Sequence, residues 1–225
     1  MFASGKRQSE SSSTRGQQIA DALTLVGDGL DTLSAVQWAS PSLCEGWSVK
    51  DTIAHLVWRI GTPSVRLATD VVRASFAGRH ANPMESLDDI ARGIADSGGT
   101  DELRRELRAI AEEKALGHGR TSTGELVEAI VHGYDALHPL GVRLPFDPDT
   151  THAVAVASTL TASREVRALL RHRTLVAEDA GWRIGRGSEI LADAASVILY
   201  LHGRKAMQPP SRERLLAPAP TPGLA

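Results

Sequence analysis

Glu128 and His132 stand four residues apart in the stretch from Glu125 to Asp135 (ELVEAIVHGYD). In a helix that spacing puts a carboxylate and an imidazole on one face, one turn apart, near enough for both to ligate one ion. If His55 meets them from another helix, the three make a His₂Glu set, an arrangement used by catalytic zinc with one position left for water or substrate. The same pair also reads as a solvated Glu–His contact worth a few tenths of a kcal/mol. Glu125 and Asp135 continue the face with carboxylates of the kind that orient a ligand imidazole. Gly133, in mid-helix, costs roughly 1 kcal/mol against alanine and points to close packing or to ligand approach.

The elements that must position these residues follow from periodicity. Ile19, Leu23, Val26, Leu30 and Leu33 recur at helical spacing and predict a first helix over 15–36. Ser48 with Asp51 forms a capping box that opens a second helix, whose apolar stripe is Val49, Ile53, Leu56, Val57 and Ile60. His55 lies about 200° from Ile53 at 100° per residue, so its face, shared with Asp51, Thr52, Trp58 and Arg59, is either solvent-exposed or turned to a cleft. Thr62-Pro63 starts a third helix, carrying Val65, Leu67, Val71, Val72 and Phe76 to about Gly78, and a loop follows from Arg79 to Glu85. A short helix over 86–96, a long one over 100–116 with Leu103, Leu107 and Ile110 on one side, and a helix opened by Ser122 and Glu125 complete the set. Pro139 stops the last. These are the parts of a four-helix bundle.

Pro145, Pro148 and Gly141 fall within eight residues and mark a boundary. The organisation expected is an N-terminal flexible segment (1–14), a helical bundle (15–141), a small α/β C-terminal domain (149–206) and a proline-rich tail (207–225). Within the C-terminal part the pattern predicts a helix over 149–171, a hairpin from Thr174–Glu178 and Trp182–Ile184, and a helix over 193–202.

Composition narrows the partners. Twenty-five basic residues against 27 acidic ones leave a formal charge of −2, which gives no footprint for nucleic acid or an anionic membrane. No apolar run approaches the roughly 20 residues of a membrane span, and the Ser-rich start lacks the apolar core of a signal peptide, so a cytoplasmic location is expected. Oligomeric state is not encoded in any pattern. Cys44 is the single cysteine, so no internal disulfide forms and a metal site must use His and carboxylate ligands. Without a His or Lys beside it in sequence, Cys44 reads as a packed, inert thiol. Trp47 and Trp58 read as core packing, Asp51 as a cap, and His118 and His138 as surface histidines.

Two blocks carry a family resemblance. The stretch Trp38 to Leu56, with Gly46-Trp47, Asp51 and Ala54-His55-Leu56, resembles the start of the mycothiol-dependent maleylpyruvate isomerase family, within the DinB-like helical bundles. Glu128-x-x-x-His132-Gly133-x-Asp135 followed by Pro139-Leu140-Gly141, about 75 residues on, is similar to that family's other signature. The stretch Leu175–Gly185 and the closing helix to Arg204 look like its small α/β C-terminal domain. The resemblance implies metal ligands His55, Glu128 and His132, a divalent ion, usually taken as zinc, and mycothiol as thiol cosubstrate. It implies a small-molecule substrate, an electrophile or diacid, whose cis double bond takes up the thiolate, rotates to trans and expels it; other members look like thiol transferases. Arg204 stands where that family has an arginine and is the candidate for carboxylate binding, with Arg79 a weaker one. A non-catalytic metal-binding or regulatory bundle is the alternative, separated by whether a fourth protein ligand such as Asp135 closes the site. An unliganded helical interaction module is the third reading.

Overall fold

A computed structural model describes residues 3–78 and 83–204, with side chains described from Thr14 and, after the gap, from Glu85. Arg79 and the proline-rich tail lie outside the described residues. The helices are α1 (Ala3–Asp31), α2 (Ala35–Trp38), α3 (Val49–Gly61), α4 (Ser64–Gly78), α5 (Pro83–Ser97), α6 (Thr100–Ala115) and α7 (Thr123–Leu137). After a 3₁₀ turn come α8 (Pro148–Thr161), α9 (Arg164–Leu169), β1 (Arg173–Ala177), β2 (Trp182–Gly185), β3 (Ser188–Ala192) and α10 (Ala194–Leu201).

Helices α1, α3, α6 and α7 form the bundle, with α5 laid against α3 and α4 against α5. Their apolar stripes meet in one cluster in which Ile19, Leu23, Leu30, Ile53, Leu56, Leu103, Leu107, Leu126 and Ile130 are almost fully buried. Each such side chain contributes about 2 kcal/mol relative to its exposed state. Gly133 belongs to this packing: a Cβ there would stand 2.6 Å from Val26 Cγ2, so α1 and α7 approach through it. That selects close packing over ligand approach as its role.

Both expected capping boxes are present, Ser48/Asp51 on α3 and Ser122/Glu125 on α7. They fix where His55 and Glu128 fall along their helices. The first helix differs from the expected 15–36. It already runs from Ala3, since no proline interrupts it, and it stops at Asp31 because a third capping box, Ser34 with Gln37, opens α2. The expected short helix over 86–96 is a full one. Helix α4 buries none of its residues, and Val65 and Phe76 are each 82 % exposed.

The C-terminal part packs on the bundle through α8 and α10, which both meet α7. The hydrophobic cluster runs without a break from the bundle into Val154, Leu175, Val197 and Ile198. The helix expected over 149–171 is two, because Ser163 caps α9 by accepting from Val166 N. The hairpin β1–β2 forms as read, with Leu175 opposite Ile184. A third strand, β3, pairs parallel to β1 on its other edge, giving the order β2-β1-β3. To reach it the chain crosses the end of β1 on Gly185 and Gly187, at φ +96° and +106°, where a Cβ would stand 2.2 and 2.3 Å from the carbonyls of Arg173 and His172. Only glycine fits there.

Candidate metal centre

Helices α3 and α7 lie side by side and bring His55, Glu128 and His132 together. Glu128 Oε2 is 3.2 Å from His132 Nε2 and 3.9 Å from His55 Nε2. One donor atom from each residue lies within 4.8 Å of the others. The imidazoles meet edge to face, 5.0 Å between ring centres. Donors around a tetrahedral zinc at about 2.0–2.1 Å stand roughly 3.3 Å apart, so this set is close to ligation geometry. His55 faces the cleft rather than solvent, 5 % exposed between Trp47 and Trp58 at 5.0 and 5.8 Å.

The surroundings prepare the three candidate ligands unequally. Asp135 Oδ2 lies 3.1 Å from His132 Nδ1. A carboxylate only accepts, so Nδ1 donates to Asp135, and Nε2 is the nitrogen turned toward Glu128. Burial works against a charge on His132, but hydrogen bonds to Asp135, Cys44 and Glu128 outweigh it and raise its pKa well above the ordinary histidine value. His55 is lowered, by burial first and then by the neighbouring His132 and Arg59 against the opposing pull of Glu128. Its Nδ1 is buried without a hydrogen-bond partner. Burial pushes the Glu128 carboxyl up, yet hydrogen bonds from His132 and His55, with His132 and Arg59 charge behind them, hold it below the usual carboxylate range. Arg59 Nε faces the other oxygen, Oε1, at 3.3 Å, leaving Oε2 to the two imidazoles.

Glu125 does not orient an imidazole as the sequence suggests. Its carboxylate caps α7 and pairs with Arg120 Nε at 2.9 Å and Arg59 Nη1 at 3.5 Å. Burial raises its pKa, while Ser122, Arg120 and Arg59 together bring it below the ordinary value. A depressed folded-state pKa contributes stability above the unfolded carboxyl value that is lost as pH falls through the folded one. Glu125→Gln is therefore expected to cost about 2 kcal/mol near neutral pH and progressively less in acid, read from urea unfolding at pH 7 and pH 3.

Cys44 is packed, as the sequence suggests, but beside partners that the sequence did not show. The loop 39–48 turns on Gly46 at φ +76° and is tied to α7 by Leu43 N donating to Asp135 O at 2.9 Å. This sets Cys44 Sγ 3.1 Å from Asp135 Oδ2, 3.7 Å from His132 Nδ1 and 3.4 Å from Arg204 Nη2. The thiol does have histidine and arginine neighbours, from α7 and from the segment just after α10, far along the chain. Its place in a block that runs directly into His55 was the available signal.

Cys44, His132 and Asp135 make a second possible donor group. There, however, Asp135 is already gripped by Arg204, whose Nε and Nη2 each donate at 2.8 Å, and a metal would sit against that guanidinium. Arg59 occupies only Oε1 of Glu128 and leaves Oε2 to the two imidazoles, which favours the His55–Glu128–His132 group. Arg204 lines the same cleft but is not the free carboxylate-binding arginine expected from sequence; its fork is taken by Asp135. Trp47 and Trp58 are buried as expected and also wall the cleft, anchored by Nε1 bonds to Asp88 at 2.7 Å and Asp70 at 3.0 Å. His118 is exposed and pairs with Glu113 at 2.8 Å.

The cleft has a volume of about 1180 Å³. Among the described residues no helix is long and apolar enough to cross a membrane.

Comparison with known proteins adds an independent line. Residues 19–137, more than half of the chain, match the family model described as the mycothiol maleylpyruvate isomerase N-terminal domain. Two uncharacterized proteins of Mycobacterium tuberculosis, from two strains, are 30% identical over 155 residues, 58% of this chain and 59% of theirs. The chain thus spans under two thirds of those relatives. Crystal structures of a mycothiol-dependent maleylpyruvate isomerase and of a mutant of it align over 85% of this chain and 88% of theirs, at 14% identity and a TM-score of 0.49.

Proposed function

Because the chain belongs to the mycothiol maleylpyruvate isomerase N-terminal domain family, we propose that it is a metal-dependent enzyme that uses a low-molecular-weight thiol, mycothiol-like, to isomerise or conjugate a small electrophile. The observation that carries this reading is the convergence of His55, Glu128 and His132 on one point in a cleft. A divalent ion held there, zinc as the family resemblance implies, would make a thiol or water nucleophilic at neutral pH. His55 and His132 each offer Nε2 and Glu128 offers Oε2.

Asp135 holds His132 in the tautomer that ligation needs, and Arg204 holds Asp135. Arg204 is thereby a positioning residue. Both oxygens of Asp135 are engaged by Arg204, which makes it a poor candidate for a fourth ligand. An ion held by the other three residues would keep a position for an exogenous thiol, which supports catalysis over a purely structural ion. Trp47 and Trp58 pack around His55 and keep water from its buried side.

The reading is tested with zinc-loaded protein, mycothiol and a panel of activated alkenes, following both cis–trans conversion and adduct formation. Turnover that needs thiol and metal together is the expected result. Metal binding with no thiol-dependent reaction across the panel supports the non-catalytic alternative.

A further inference from the structure

The cleft is two-sided. Besides the candidate ligands, the cleft is lined by Leu67, Ala68, Val71 and Val72 of α4, two i, i+4 pairs on one face, joined by Leu87 of α5. Nothing in α4 is buried in the core, so this apolar face is not spent on holding the fold together.

Charge on the lining is already committed. The cationic groups other than histidine, among the described residues, are Arg59, Arg120 and Arg204. Arg59 faces Glu125 and Glu128, Arg120 faces Glu125, and Arg204 faces Asp135. Against three guanidinium groups stand five carboxylates, the lining Glu45, Asp88, Glu125 and Glu128 and the Asp135 that Arg204 already pairs with. A divalent ion would only cancel that deficit of two, and a thiolate would leave the cleft negative. No uncommitted cation is left among these residues for a dicarboxylate, whose desolvation would go uncompensated. The volume of about 1180 Å³ exceeds the roughly 300–1,000 Å³ usual for one ligand, so thiol and second reactant fit together.

We infer that the electrophile of this site carries an extended uncharged apolar arm, seated on the α4 face formed by Leu67, Ala68, Val71 and Val72, and is not a small diacid. The inference rests on the metal-and-thiol reading for the reacting end and on the cleft wall for the arm.

The test uses the full chain, with and without zinc, and two probes: straight-chain alcohols from 1-butanol to 1-octanol, and succinate. Binding is followed by calorimetry and by tryptophan fluorescence. Affinity is expected to rise about fourfold per added methylene, and succinate should neither bind comparably nor displace 1-octanol. Val71→Asp should lower 1-octanol affinity at least tenfold, and Leu67→Gln should lower it by a smaller factor. Unchanged far-UV circular dichroism and zinc binding in both variants show that fold and ligands are intact. Affinity independent of chain length, or succinate binding tighter than 1-octanol, overturns the inference. The two readings fail separately: a chain-length series that holds in a protein binding no zinc removes the metal reading only, and zinc binding without the series removes the apolar arm only.

Discussion

Asp135→Ala is expected to lower stability by about 3–5 kcal/mol in the metal-free protein, the cost of leaving a partner charge unpaired in the interior. The Asp135 side chain is fully buried and accepts from Arg204 twice, from His132 Nδ1 and from Cys44 Sγ. Removing it strands a guanidinium and an imidazole at once. At 2–4 °C per kcal/mol for a chain of this size, the midpoint of thermal unfolding should fall by about 10 °C. Burial pushes the Asp135 carboxyl up, but the bonds from Arg204 and His132 prevail and hold it below the usual carboxylate range. Its contribution is therefore present above the unfolded carboxyl pKa and disappears as pH falls through the folded value, so wild type and variant should converge in strong acid. The variant should also bind zinc 10–100-fold more weakly, because His132 loses the group that sets its tautomer. A loss of stability under 1 kcal/mol, with unchanged zinc affinity, would contradict both roles.

His132→Ala carries the second large effect. Zinc at a hundredfold excess over its Kd stabilises a protein that binds it only when native by about 2.7 kcal/mol, roughly 5–10 °C in midpoint. Removing one of three ligands should weaken affinity by at least two orders of magnitude, and at the same zinc concentration the shift then shrinks to about 1 °C. Because His132 also contacts Asp135, the zinc-dependent shift within each protein is the quantity to compare, not the absolute midpoint. Glu128→Gln, which keeps the side-chain volume, should show the same loss of response. A full zinc shift in both variants would place the ion elsewhere.

What was legible in the sequence was local. The Ser48/Asp51 and Ser122/Glu125 boxes, the i, i+4 pair and the helical stripes depend on neighbours within one or two turns, and each stands where its spacing indicates. His55 was half legible: its helix face was plainly not the core stripe, but cleft and solvent are told apart only by what packs opposite. The pairings that the sequence hid depend on long separations. Cys44 meets His132 across 88 positions and Arg204 meets Asp135 across 69. Strand β3 was missed because Ser188–Ala192 follows a Gly-Arg-Gly break and only half alternates, and its partner β1 is what makes it a strand. The α4 apolar residues were visible as a helix, but only the folded chain brings one face of them to the cleft.

The most direct measurement is the metal content of purified protein after zinc loading and exhaustive dialysis, compared between wild type and the His55→Ala/His132→Ala double variant. About one zinc per chain is expected in the wild type, the count for a single three-ligand site, and essentially none in the variant with its circular dichroism spectrum intact. Equal zinc in both proteins, or none in either, would contradict a metal centre at His55, Glu128 and His132.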